Sequence, residues 1–434
     1  MRQIRARSPH RSGVVIVGGG LAGQRCAETL RRNGYDAPIR MVCAEAHRPY
    51  DRPPLSKQLL AGAGSADPPA FRPLEWYRLA SIQLLLRVGA TGLLPAERRV
   101  VLSDGTSLRY DRLLIATGSR PRGLPLLTGY ENVWSLRTLD DCRALRQVVG
   151  AGRRLVVIGG GFIGLEVAAT ARGLGAEVTI IEAGAAPLAG VLGFRLGRWF
   201  TRLHEARGVR VMTDRGIDRI DANGTIRALR LSTGEVVEAD DVVVGVGVEP
   251  DVGWLSGTGL KIAAGIPVDP HGRTSNPEIL AAGDAAATFD PRLGRHVPGS
   301  HWEAAGQQGA RAARVMLGLD PGEAPLTSFW TDQYGIRIQY LGYARPADAV
   351  MFDGDPANAA FTATFTRGGR AVGALLVDRP RALPAIRQLI EKDVMSSPSD
   401  PTCRDLLSSS AERVRAGCLT VELEEAPSDD RNGT

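Results

Sequence analysis

Val14 to Glu45, VVIVGGGLAGQRCAETLRRNGYDAPIRMVCAE, decides how the rest of the chain is read. Four apolar β-formers, Val14 to Val17, run into glycines at 18, 20 and 23, which is the spacing GxGxxG between a strand and a helix. Each glycine answers a physical need. Gly18 allows a tight turn, Gly20 has no Cβ to block an approaching pyrophosphate, and Gly23 lets helix and strand pack closely. The free N–H groups at the start of the helix then face the phosphates with their partial positive charge. The pattern predicts a helix over Leu21 to Arg32 closed by Asn33-Gly34 and a second strand over Ile39 to Cys43. Glu45 follows as an acid able to accept hydrogen bonds from ribose hydroxyls.

Glycine-rich turns are common in α/β proteins, so one copy is weak evidence. The unit recurs at Leu155 to Glu182, LVVIGGGFIGLEVAATARGLGAEVTIIE, with Gly159, Gly161 and Gly164, a helix, a strand over Val178 to Ile181, and the closing acid Glu182. Strand, glycines, helix, strand and acid, twice in one chain, predict two nucleotide sites. Two dinucleotides in one chain point to FAD and a nicotinamide cofactor. Glu182 and the following Ala-Gly-Ala-Ala-Pro offer no arginine for a 2′-phosphate, which favours NADH over NADPH. The fold class expected is α/β, with two Rossmann-like dinucleotide-binding domains.

Composition narrows the function classes. A chain of 434 residues has room for two or three domains. No apolar run is long enough to span a bilayer, and the basic start MRQIRARSPHRS leads into no signal-peptide core, so no membrane role is expected and a cytoplasmic enzyme is. Cys26, Cys43, Cys142, Cys403 and Cys418 are scattered, without CxxC or metal-ligand spacing. The net charge of +6 is spread almost wholly over arginines, the lysines being Lys57, Lys261 and Lys392. That balance is too diffuse for nucleic acid, but it suits an acidic protein partner.

Along the chain, residues 1–12 read as a disordered leader. In RPYDRPPLSK, residues 48–57, three prolines preclude a regular helix or central strand. The segment is read as a rigid connection delivering Arg52, Ser56 and Lys57 near the first nucleotide. Taken alone it reads instead as a helix start with proline at its first position and a solvated lysine. Trp76 to Leu86 is expected to be a helix and Val88 to Leu94 a strand, with a hairpin at Asp104-Gly105. A buried strand then runs into Ala116-Thr117-Gly118. Thr138 and Asp141 form a capping-box variant ahead of a helix over Leu139 to Val149. Arg137 is either surface charge or a phosphate contact. Val209 to Val211, Ile226 to Leu231 and Val236 to Val237 are expected to be antiparallel strands, and Asp241 to Pro250 another buried strand with a glycine turn. Asp284, ending ILAAGD, either caps a helix opening at Ala285 or binds ribityl hydroxyls of a flavin. His301-Trp302 and a helix over Gln307 to Leu317 border the same site. A final domain is expected from about Phe329, with strands at Ile336 to Tyr343, Ala360 to Thr366 and Ala371 to Val377 and a helix over Ala382 to Lys392. A polar tail follows Ser408.

GGGLAG, RPYDRPPLSK, YDRLLIATGSRPR, LRTLDD, GGGFIGLEVA, GVGVEP, ILAAGD, HWEAAGQQG and FWTDQYG stand in that order between about Gly13 and Leu407. In these motifs the chain resembles the FAD-dependent pyridine nucleotide reductases of the glutathione-reductase fold, and within them the ferredoxin reductases that serve oxygenases and cytochromes P450. The resemblance implies an FAD-binding domain over 13–120 and 250–325, an NAD-binding domain over 121–249, a C-terminal α+β domain over 326–408 and a flexible tail over 409–434. Carried over motif by motif, it implies FAD contacts at Gly18, Gly20, Ala22, Gly23, Arg52, Lys57, Ala90, Thr117, Gly118, Arg137, Asp284 and Trp302. It implies NAD contacts at Gly159, Gly161, Ile163, Gly164, Glu182 and Gly247. The family usually ends its second strand with a glycine and an acid directly after it. Here Cys43 and Ala44 hold those positions and the acid is Glu45, so the adenosine ribose contact departs from the pattern.

The resemblance further implies that Lys57 lies at the flavin N5 edge, paired with Glu166 of GGGFIGLE, and that hydride passes from NADH to FAD. Single electrons would then go to a 2Fe–2S ferredoxin docked near Trp302, Trp330 and a basic face, and on to an oxygenase or cytochrome P450. Disulfide reductases of the same fold need two cysteines in the segment that here reads RPYDRPPLSK, which has none, and a thiol-based peroxide or oxidase role fails likewise. Two further readings are reduction of a small molecule such as a quinone or radical, and a flavoprotein whose NADH-bound state is a binding signal.

Overall fold

The computed structural model describes residues 12–63, 67–291, 293–299 and 301–395. Nearly all of the leader and the tail lie outside them, as do Cys403 and Cys418.

Two parallel five-stranded sheets repeat one plan. In the first, the strand order is Ile279–Ala281, Arg112–Ile115, Val14–Val17, Ile39–Cys43, Ile82–Leu86. In the second it is Val133–Trp134, Asp241–Val244, Arg154–Ile158, Glu177–Ile181, Arg210–Met212. The first strand of each glycine unit sits in the middle, buried on both faces, which is why it reads as an unbroken apolar run. Helices Leu21–Arg32 and Phe162–Gly173 follow those central strands. Each unit carries a three-stranded antiparallel sheet, Ala90–Leu94 with Arg99–Leu102 and Ser107–Arg109 in one, and Ile217–Asn223 with Thr225–Leu231 and Val236–Glu238 in the other. The chain crosses between the units beside the antiparallel pair Ser119–Pro121 and Val248–Pro250. A five-stranded antiparallel sheet, Ser328–Gln333, Ile336–Gly342, Arg370–Val377, Ala360–Arg367 and Ala349–Asp355, ends the described chain with helix Leu383–Met395.

Tight backbone approaches fix these layers. A Cβ on Gly18 would lie 2.0 Å from the Ala116 carbonyl oxygen, and one on Gly23 would lie 2.1 Å from that of Gly18. The helix Trp302–Met316 packs on Leu21–Arg32, where Gly309 leaves room for the Ala22 carbonyl.

Three expectations fail. Ile82–Leu86 is a strand, not the end of a helix: the helix covers Leu74–Leu79 and stops as Ser81 takes a left-handed φ of 52°. The carbonyls freed at that break are taken by the Arg31 guanidinium, which donates to Ala80 at 2.6 Å and Ser81 at 2.9 Å. A short apolar run fits helix or strand, and here the open edge of Ile39–Cys43 decides. Arg210–Met212 pairs parallel with Glu177–Ile181 rather than antiparallel. The crossover that a parallel pair requires is helix Phe194–Glu205, unmarked in the sequence reading. No helix opens at Ala285; a single turn over Gly283–Ala285 leads into strand Ala286–Asp290, so Asp284 has no helix to cap.

Candidate active site

A cavity of about 730 Å³ runs between the two glycine units and reaches the last sheet at Phe329 and Trp330. It is lined by Gly18, Gly20, Ala22, Glu45, Arg52, Lys57, Ala90, Thr117, Gly118, Arg137, Asp284 and Trp302 on the first side, and by Gly161, Ile163, Glu166 and Gly247 on the second. Gly23, Gly159, Gly164 and Glu182 do not line it; Gly23 and Gly164 hold helix against strand.

The lining suits a long, anionic, partly aromatic ligand. Helices Leu21–Arg32 and Phe162–Gly173 begin on Gly20 and Gly161 with no side-chain cap, which leaves their first N–H groups for a ligand. A Cβ on Gly20 would meet nothing within 4 Å, so that glycine is bare toward open space and not toward protein. Arg52, Lys57 and Arg137 add positive charge. Arg137 donates to Asp284 Oδ2 at 2.9 Å, and burial, followed by the neighbouring Arg52, pulls its pKa below the usual arginine range. Ser119 donates to the same Asp284 oxygen at 2.7 Å. Glu45 is held by Arg52 Nη2 at 2.7 Å and by the Tyr50 hydroxyl at 2.5 Å. In the second unit, Glu182 accepts from the backbone N–H of Gly160 at 2.6 Å and of Gly184 at 2.7 Å.

Proline-rich residues 48–57 act as a rigid delivery device. Pro53–Ser56 is one 3₁₀ turn with proline at its start, and it turns Lys57 inward. The lysine is not solvated: its side chain is 11% exposed, and its Nζ lies 2.7 Å from Glu166 Oε2. Glu166, itself buried, also accepts from Ser56 Oγ at 2.5 Å and Thr331 Oγ1 at 2.6 Å. The pair therefore joins both glycine units and the last sheet. Trp302 Nε1 donates to Asp51 Oδ1 at 2.6 Å, and its ring meets Trp330 edge-on at 5.3 Å. Asp51, Tyr50 and Thr331 were not assigned roles from sequence, although all three fall inside its most specific motifs, RPYDRPPLSK and FWTDQYG.

A family model described as pyridine nucleotide-disulphide oxidoreductase matches residues 12–309, and a second, described as reductase C-terminal, matches residues 328–404. The chain belongs to the pyridine nucleotide-disulphide oxidoreductase family. Its curated relatives include the ferredoxin–NAD(+) reductase component of the anthranilate 1,2-dioxygenase system of Burkholderia cepacia, 42% identical over 397 residues, or 89% of this chain and 97% of that protein. Putidaredoxin reductase of Pseudomonas putida is 35% identical over 384 residues, 87% of this chain and 91% of its own. Among solved structures, a covalent putidaredoxin reductase–putidaredoxin complex matches with a TM-score of 0.86 at 33% identity, covering 93% of this chain and 99% of that one. The sequence resemblance to ferredoxin reductases of oxygenase systems is thus met by relatives spanning most of the chain. For a pyridine nucleotide-disulphide oxidoreductase the cavity lacks one expected element: among the described residues, Cys43 alone of the cysteines lines it, and burial pushes that thiol up to about 12.

Among the described residues no helix is long and apolar enough to cross a membrane.

Proposed function

We propose that this protein is an FAD-dependent ferredoxin–NAD(+) reductase, passing electrons from NADH to a 2Fe–2S ferredoxin that serves an oxygenase or cytochrome P450. The observation that carries this reading is the buried Lys57–Glu166 pair standing where the two glycine units share one cavity, in place of a cysteine pair. Bound FAD supplies the step-down from two-electron hydride chemistry to single-electron transfer.

The chain's own residues do the rest. Gly18, Gly20, Ala22 and the start of helix Leu21–Arg32 take the pyrophosphate, with Gly23 behind them. Arg52 and Arg137 balance its charge, while Ala90, Thr117, Gly118, Asp284 and Trp302 line the remaining length and Glu45 serves the ribose end through its Arg52 and Tyr50 partners. Lys57, held by Glu166, places a compact cation at the redox end, where it favours negative charge as hydride arrives. Gly159, Gly161, Ile163, Gly164, Gly247 and Glu182 take NADH. The domain limits in this reading are 13–120 with 250–325 for FAD, 121–249 for NAD, and 326–408 for the domain covering the redox end; the division of the strands among separate sheets supports them. The acidic ferredoxin docks transiently over Trp302 and Trp330, and the protein works in the cytoplasm.

Anaerobic titration with NADH, followed at the flavin absorbance, tests this. Bleaching by NADH and prompt reoxidation on adding a 2Fe–2S ferredoxin is the expected result. Bleaching that persists with ferredoxin present would instead favour reduction of a small molecule or an NADH-sensing role.

A further inference from the structure

Glu166 is the end of a longer buried chain. Its Oε1 accepts from Thr331 Oγ1 at 2.6 Å, Thr331 Oγ1 accepts from Gln333 Nε2 at 3.2 Å, and Gln333 Oε1 lies 3.0 Å from His204 Nε2. His204 Nδ1 in turn lies 2.7 Å from the hydroxyl of Tyr334. Thr331 and Gln333 are each 1% exposed and His204 is 0%. The chain passes from helix Phe194–Glu205 through strand Ser328–Gln333 to helix Phe162–Gly173, so it ties the second glycine unit and the last sheet to the redox end of the cavity.

Donor counting allows this chain one direction. A carboxylate paired with an ammonium only accepts, so the single Thr331 proton points to Glu166. Thr331 Oγ1 is then an acceptor for the next neighbour, which fixes the Gln333 amide with its NH₂ toward the threonine. Gln333 Oε1 therefore faces His204, whose proton must sit on Nε2. Burial lowers the His204 pKa to about 4, so the ring is neutral and its bare Nδ1 accepts the hydrogen bond donated by the Tyr334 hydroxyl. The phenol is pushed above its ordinary range by burial and stays a donor.

Tyr334 is itself unusual. It forms, with Gly335, the two-residue hairpin loop between Ser328–Gln333 and Ile336–Gly342, and it holds a φ of 54°. Such loops favour Asn, Asp or Gly at that place. A tyrosine there costs backbone strain and brings its hydroxyl to His204, beneath the Arg207 guanidinium at 5.1 Å from the ring.

We propose that Thr331, Gln333 and His204 are positioning residues for the redox site, holding the Glu166 carboxylate, and through it Lys57, by a hydrogen-bond chain of fixed polarity. The proposal rests on the reading that Lys57 serves hydride transfer. Because each link donates toward the carboxylate, the links polarise one another and the anion is held in one orientation.

The first test reads the chain itself and needs no turnover. In holoprotein with ¹⁵N-labelled histidine, two-bond ¹H–¹⁵N correlation is expected to find His204 protonated on Nε2. Glu166→Gln presents an NH₂ to Thr331, reverses every link, and is expected to move the His204 proton to Nδ1. A wild-type proton on Nδ1, or a tautomer indifferent to Glu166→Gln, would overturn the proposal. The second test is single-turnover reduction by NADH. Thr331→Val, close to isosteric, is expected to slow it by about tenfold, the scale of one hydrogen bond to a charged group, while Thr331→Ser restores it. A Thr331→Val rate equal to wild type overturns the chain's role even where Lys57→Ala is slow. If Lys57→Ala is itself fast, the reading of Lys57 fails while the tautomer result stands.

Discussion

Lys57 Nζ lies 2.7 Å from Glu166 Oε2 across the boundary between the two nucleotide-binding units, with both side chains nearly excluded from solvent. Such a pair is costly to desolvate, and breaking it by removing one partner costs about 3–5 kcal/mol, because the survivor is left as an uncompensated buried charge. Its retention here is therefore weak evidence for stability and better evidence for a redox role. Lys57→Ala is expected to lower the melting temperature and to slow flavin reduction by NADH by about a hundredfold. The double change Lys57→Met with Glu166→Leu separates the two effects: it should recover the melting temperature and leave the rate low. Stopped-flow reduction and thermal melts on the same samples decide it, and a double variant that regains its rate would remove the pair from the chemistry.

The glycines of the first cradle divide into two kinds, and substitution should tell them apart. At Gly18 and Gly23 an added Cβ meets backbone carbonyl oxygens at 2.0 and 2.1 Å, whereas at Gly20 it meets no protein atom within 4 Å. Gly20→Ala should thus fold with near-wild-type stability but purify with little flavin, its methyl group occupying ligand space. Gly23→Ala should fail at folding, since a backbone contact has no flexible end to move. Expression yield, circular dichroism and flavin-to-protein absorbance ratio measure this. A fully yellow Gly20→Ala protein would contradict the proposed pyrophosphate cradle.

How far the sequence could be read follows from where each signal is stored. The central strands and glycine turns were legible because sterics at Gly18 and Gly23 tolerate no alternative, and the Thr138 and Asp141 box formed both of its hydrogen bonds as its spacing implied. Ile82–Leu86 is ambiguous in sequence because its apolar run is indifferent to period, and the edge of a distant strand chooses for it. Strand Ala349–Asp355 is hard to read because it is a largely exposed edge ending in Asp-Gly-Asp, poor β-formers, and only Val350 and Phe352 of it pack against the core. Lys57 and Glu166 were paired through the resemblance, since their 2.7 Å contact joins residues more than a hundred positions apart. His204 is silent in the sequence for two reasons: nothing there marks the helix that carries it, and a lone histidine on an apolar face bears no sign of the amide that orients it.

Two histidines, one buried at 204 and one half-buried in the cavity wall at 301, should make the fold acid-sensitive above the carboxylate range. Burial lowers both His204 and His301 from 6.5 to about 4. Between those values the unfolded chain binds the proton and the folded chain does not, so stability rises with pH through that window and is lost as pH falls through it. A drop of that size, at 1.36 kcal/mol per unit, is about 3 kcal/mol for each ring. Denaturant unfolding at pH 7, 5.5 and 4.5 should show the decline, and His204→Gln should make it shallower. An equal slope in wild type and His204→Gln would mean that His204 takes up its proton without unfolding.

Preference for NADH over NADPH is expected from Glu182. Its carboxylate closes the end of strand Glu177–Ile181, bridging the N–H groups of Gly160 at 2.6 Å and Gly184 at 2.7 Å. A 2′-phosphate placed there would meet negative charge, while a ribose diol would find an acceptor already oriented by two backbone donors. The nearby Arg215 offers no rescue, since its guanidinium is held by Glu235 at 2.9 Å. Glu182→Ala together with Ala183→Arg removes the repulsion and supplies a bidentate phosphate partner. That variant is expected to move kcat/KM toward NADPH by at least about a hundredfold relative to wild type, the combined scale of one lost charge repulsion and one gained charge-assisted contact. Steady-state kinetics with both nucleotides measure the ratio. A wild-type enzyme that already prefers NADPH would show that the 2′-phosphate is read by residues other than those closing this strand.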